Sequence, residues 1–95
     1  MSYELSAEAD QDVLSIYRYG FERWGEARAD AYYIALTEAF ETIAEDPMRY
    51  QKVEGENVTY RRAVFRSNAI YFRLQNDTVL IVRILGRQDP AEAFG

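Results

Sequence analysis

The sequence predicts an α+β domain: a short N-terminal strand, then an antiparallel helical hairpin packed on a small antiparallel sheet, in the order β-α-α-β-β-β. Three observations predict it. Apolar residues recur at helical spacing from Ala9 to Ile43 and divide into two stripes near Gly25. The last third of the chain changes character: VTYRRAVFR, AIYFRL and VLIVRIL are rich in β-branched and aromatic residues. Polar clusters, Arg66-Ser67-Asn68 and Gln75-Asn76-Asp77, separate those runs as turns would. With 95 residues the chain forms one domain, residues 1–95.

Each element has a local cause. Tyr3-Glu4-Leu5 is a short extended start, and Ser6 is placed to cap a helix whose first turn carries Glu8 and Asp10, where the helix dipole favours acids. Ala9, Val13, Ile16, Tyr17, Gly20 and Trp24 then form one apolar stripe, with Trp24 expected as a core aromatic beside the hairpin turn. Gly25 stands where a helix C-cap needs positive φ. Ala29, Tyr32 or Tyr33, Leu36, Phe40 and Ile43 make the second stripe, which Asp46-Pro47 ends because the residue before proline is pushed from helical space. Residues 48–57 show no period and read as irregular.

The register of the last hairpin depends on its turn. A two-residue turn at Asn76-Asp77 sets Arg83 beside Ile70, whereas a three-residue turn with a bulge sets it beside Tyr71 and Arg73. The bulged form is expected. It leaves Ile70, Phe72 and Leu74 to the core and gathers Tyr71, Arg73 and Arg83 on the uncovered face.

Composition excludes several chemistries. The chain has no cysteine and no histidine, so disulfides, thiolates, histidine acid–base pairs and Cys/His zinc sites cannot form. Glu8, Asp10, Asp12, Glu38, Glu41 and Glu45 lie mostly on solvent-facing helix sides, and no metal site or other cofactor is expected. No signal peptide or membrane span is read, and the expectation is a small cytoplasmic protein. The net charge of −5 hides a split: residues 1–57 carry thirteen acids and five bases, residues 58–95 six arginines and three acids. A net-acidic chain is a poor electrostatic match to nucleic acid, and direct binding to it is not expected. Arginines in the middle of apolar strands (Arg61, Arg73 and Arg83) need partners. They either pair with an acid such as Glu54 or Glu56 or form a cationic surface for an acidic partner.

The order of elements, together with FERWGEARADAY, YRRAVFRSNAIYFRL and VLIVRILGRQDP, resembles the RelE/ParE superfamily of toxins from bacterial type II toxin–antitoxin modules, the ParE branch above all. The resemblance runs from about Leu5 to Pro90. It implies a toxin that blocks DNA gyrase by protein–protein contact and is neutralised by the acidic C-terminal arm of a ParD-like antitoxin. On that reading Arg61, Tyr71, Arg73 and Arg83 form the antitoxin groove, and Gly86 with Arg87 forms part of the target surface. RelE-like relatives cut messenger RNA on the ribosome, and their tail pattern fits Gly86 and Arg87. The next arginine falls on Gln88, however, and the terminal tyrosine on Phe94, so the residues needed to move a proton and hold the phosphate are missing. The chain also departs from the ParE pattern, with Gly86 where many relatives have histidine and Arg87-Gln88 where an arginine pair is usual. The rival readings are a ribosome-dependent ribonuclease and an antitoxin-binding module without a target.

Overall fold

The computed structural model describes residues 1–55 and 57–86. Strand β1 (Ser2–Leu5) leads through Ser6 into helix α1 (Ala7–Trp24), and helix α2 (Glu26–Glu45) returns after Gly25. A single 3-10 turn (Pro47–Arg49) precedes strands β2 (Gln51–Glu54), β3 (Thr59–Phe65), β4 (Asn68–Gln75) and β5 (Thr78–Gly86). The predicted α+β order is present, with one addition: Gln51–Glu54, expected to be irregular, is an antiparallel edge strand on β3. Val53 is its only apolar residue, so it carries no alternation to read.

The sheet has five strands in the order β1-β5-β4-β3-β2. All neighbours are antiparallel except β1 and β5, which run parallel from Ser2↔Thr78 to Leu5↔Ile81. Both tight hairpins turn on two residues, Arg66-Ser67 and Asn76-Asp77, and in each the first residue has positive φ, 52° and 58° respectively. That pattern matches the twist of the flanking strands. The expected bulge exists but lies inside the strands rather than at the turn. Tyr71 pairs with Arg83 and Phe72 with Ile81, so Val82 is the extra residue.

The caps follow the sequence. Ser6 Oγ accepts from the Ala9 N–H at 3.0 Å, and the Gly25 N–H donates to the Phe21 carbonyl at 3.0 Å. Gly25 has φ 90° and ψ 172°, a backbone region open in practice only to glycine, and it serves as the cap of both helices.

The core lies between one face of the sheet and the hairpin's near half. Leu36, Phe40 and Ile43 of α2 meet Ile70, Phe72, Val79, Ile81 and Ile84, each no more than 2% exposed. From α1 only Ala9 is fully buried, with Val13 and Ile16 packed against the cluster. The far half of the α1 stripe does not reach the sheet, and Trp24, expected in the core, is 53% exposed. Leu74, also expected in the core, is exposed beside the β4–β5 turn. No helix of the described residues is long and apolar enough to cross a membrane.

Candidate partner-binding surfaces

Because the hairpin overhangs the sheet, a groove of about 700 Å³ opens between its far half and the strand ends. Ile16, Gly20, Ala29 and Leu36 form its floor, and Tyr32 and Trp24 stand along it. The β3–β4 turn (Arg66 to Asn68) and Gly86 close the other side. Small residues allow the two helices to approach: a Cβ placed on Gly20 would sit 3.8 Å from Ala29, in ordinary contact. Tyr32 links the groove to the sheet, accepting from Asn68 Nδ2 and packing edge-on to Phe65 at 5.4 Å.

The hairpin tip carries a cation–aromatic cluster. Arg23 lies 5.2 Å from the Tyr19 ring and 5.8 Å from the Trp24 ring, and Arg28 also lies 5.8 Å from the Trp24 ring. Tyr19, Phe21 and Trp24 are each about half exposed. Exposed Trp, Tyr and Arg together are the composition of a protein-binding hot spot. Sequence reading placed Trp24 inside because it continued the apolar stripe. Spacing cannot report that the sheet ends before the helix does.

The sequence-predicted groove of Arg61, Tyr71, Arg73 and Arg83 is not one surface. Arg61 pairs with Phe72 across β3 and β4 and so lies on the helix side of the sheet, where its Nη1 donates to the carbonyls of Tyr50 (2.7 Å) and Met48 (3.2 Å). Tyr71 is on the opposite, helix-free face but is 1% exposed, so the free chain offers none of its area. Arg73, two residues along on the same face, donates to Gln75 Oε1 at 2.9 Å.

Arg83 sits opposite Tyr71 as the bulged register required, yet its head is tied to α1. Its Nε and Nη2 donate to the two Asp12 carboxylate oxygens at 2.8 and 3.1 Å. An internal ion pair therefore exists, with Asp12 as the acid rather than Glu54. Glu56 lies outside the described residues. The hydrogen bond to Asp12 raises the Arg83 pKa, with partial burial opposing it. Asp12, expected on the solvent side, has a side chain only 15% exposed. Arg62, which sequence reading passed over, is the arginine that joins Tyr71 and Arg73 on the helix-free face. Strict alternation along β3 from the buried Ala63 would have found it.

Gly86 is exposed at the end of β5 and borders the hairpin groove. Arg87, Gln88 and Phe94 lie outside the described residues. Among those described, no three acidic side chains gather as a metal site. The surfaces are thus an apolar groove, an aromatic–arginine tip and an arginine-bearing sheet face, all suited to binding a protein.

A helical hairpin overhanging a small sheet is the fold that the toxin resemblance implied. The family model for the ParE toxin of the type II toxin–antitoxin system parDE matches residues 3–90, and the chain belongs to that family. Toxin ParE1 of Caulobacter vibrioides is 34% identical over 91 residues, which cover 96% of this chain and 94% of that protein. A solved structure described as the chromosomal ParDE TA system from P. aeruginosa shares the fold, with a TM-score of 0.79 at 18% identity over 93% of this chain and 97% of that one.

Proposed function

We propose that this chain is a toxin that inhibits DNA gyrase by protein–protein contact, performs no catalysis of its own, and is neutralised by a ParD-like antitoxin. The observation that carries the antitoxin part is the open apolar groove under the hairpin. An amphipathic helix laid there would bury its apolar face against Ile16, Tyr32 and Trp24 and meet Arg28 and Arg66 with acidic side chains along its rim. Membership of the ParE family supports gyrase as the target. The non-enzymatic reading is supported by the absence of histidine and cysteine and by the strand positions being filled with arginine, which stays protonated and makes a poor base. The tip cluster of Tyr19, Trp24, Arg23 and Arg28, with Gly86 and Arg87, supplies the candidate target surface.

Inducible expression, alone and together with the ParD-like protein encoded beside it, tests the toxin reading. Arrest of growth that co-expression relieves is the expected result. Unchanged growth would leave an antitoxin-binding module without a target, and arrest accompanied by cut messenger RNA would favour the ribonuclease.

A further inference from the structure

A second groove, of about 540 Å³, opens on the β1 side of the hairpin. Leu14 and Tyr17 of α1 face Asp30 and Tyr33 of α2 across it, and Tyr3, packed on Phe40 at 5.5 Å, bounds it on the sheet side. Tyr17 and Tyr33 also line the first groove and so divide the two. Their charges are opposite. Among the described residues, the first groove is lined by Arg28 and Arg66 with no acid, and the second by Asp10 and Asp30 with no base. The aromatic rings follow the same division. Arginines of the chain itself lie 5.2 to 5.8 Å from the Tyr19, Trp24 and Tyr32 rings, whereas no described arginine stands over Tyr17 or Tyr33.

We propose that this second groove is a docking site for an arginine-bearing segment of a partner protein, its guanidinium seated against Tyr17 and Tyr33 and paired with Asp30. The site asks for the opposite charge to the first groove and is independent of the antitoxin and gyrase readings. Its groups are within reach of solvent: Asp30 is exposed, and Tyr33 is 46% exposed. The Tyr17 hydroxyl donates to Asp30 Oδ1 at 2.6 Å, which orients the carboxylate and leaves Oδ2 to accept from another molecule. Tyr33 stands edge-on to Tyr17 at 6.4 Å, so two rings flank the position in front of that carboxylate. A guanidinium suits this arrangement because its plane lies on an aromatic face while its fork meets a carboxylate. The wider field agrees. Residues 1–57 carry thirteen acids and five bases, and the charges of Asp30 and Glu26 both raise the Tyr17 pKa. Leu14, 47% exposed on the same groove, favours a protein segment over a small free cation, which would leave that apolar side chain uncovered.

The test uses the whole chain with carbon-13-labelled tyrosine rings at physiological salt. The two ring resonances are assigned by their loss in Tyr17→Phe and Tyr33→Phe. The probes are a blocked peptide of alternating arginine and leucine, its counterpart with neutral citrulline for arginine, and the single blocked amino acid N-acetylarginine amide. The expected result is a saturable shift of both resonances with the arginine peptide alone. Asp30→Asn should weaken that binding at least about tenfold, the scale of a lost charge-assisted pair. Glu38→Gln, which removes one negative charge from α2 outside the groove, should leave it unchanged. Equal losses in Asp30→Asn and Glu38→Gln would overturn the site in favour of diffuse attraction to an acidic chain. Equal binding of the arginine and citrulline peptides by the unmodified chain overturns it without relying on any variant's folding. Binding of N-acetylarginine amide as tight as that of the peptide overturns the protein occupant in favour of a small cation, and no shift with any probe overturns the proposal outright. Neither gyrase nor an antitoxin is present, so failure here is separable from failure of the toxin reading.

Discussion

Asp12 on α1 and Arg83 on β5 are joined by two hydrogen bonds of 2.8 and 3.1 Å, and the same carboxylate accepts the Ile84 backbone N–H at 2.9 Å. The arrangement has a topological cause. The parallel strand β1 ends opposite Ile81, leaving the edge of β5 unpaired from Val82 onward. Ser6 takes over one exposed group, its Oγ donating to the Val82 carbonyl at 2.8 Å, and Asp12 takes the next. The N-terminus of α1 therefore continues the sheet's hydrogen bonding past the end of β1, where Val82 bulges out.

Removing this carboxylate should cost stability at both ends of the pair. Asp12→Ala leaves the partly buried Arg83 without its counter-charge and the Ile84 N–H without its acceptor, a predicted loss of about 2–3 kcal/mol. Asp12→Asn, which keeps one acceptor oxygen, should lose less. Urea denaturation of the two variants measures the difference, and equal stability of Asp12→Ala and the parent chain would contradict the assigned role.

The two glycines of the hairpin should respond to alanine in opposite directions. Gly25 has open space around it, but its φ of 90° with ψ of 172° penalises any Cβ, and Gly25→Ala should lose about 1–3 kcal/mol. Gly20 lies within α1, where an added Cβ meets Ala29 at 3.8 Å, and Gly20→Ala should gain up to about 1 kcal/mol from helix propensity. Thermal melts of both variants decide it.

Alkaline titration should distinguish two of the eight tyrosines. The Tyr17 hydroxyl donates to Asp30 Oδ1 at 2.6 Å, and this bond raises its pKa, while burial first and the Glu41 charge second raise that of Tyr3. A phenol whose folded pKa lies above the unfolded value of 10.0 stabilises the fold fully below that value, and the contribution is lost as pH rises through the folded pKa. Stability should therefore be insensitive to these groups at neutral pH and fall above about pH 10. Absorbance at the tyrosinate band should show a late-ionising fraction that shrinks in Tyr17→Phe.

How much of this was legible in the sequence follows from how local each cause is. Ser6, Gly25 and Asp46-Pro47 act within one turn of chain, and each does what its residue type required. The alternation of Ile70, Phe72, Val79 and Ile81 was equally readable, since a buried face repeats every second residue. Three features were not. The parallel pairing of β1 with β5 joins segments more than seventy residues apart, and four residues of β1 carry no register information. Val82 looks like any strand residue, so the site of the bulge could not be told from its presence. Asp12 was counted with the solvated acids because its partners, Arg83 and Ile84, come from the far end of the chain. The site suffered most from this kind of gap. Arg61 and Arg62 are adjacent and chemically identical, and alternation from Ala63 separates them only once Ala63 is known to face the helices, which its pairing with Ile70 establishes.

The action proposed for this ParE-family chain is on DNA gyrase, through contact alone. Purified protein added to gyrase, ATP and relaxed plasmid tests it most directly, with and without a ParD-like antitoxin. The account predicts loss of supercoiling or accumulation of cleaved plasmid, reversed by the antitoxin. Undiminished supercoiling at a large molar excess of the folded chain would contradict it.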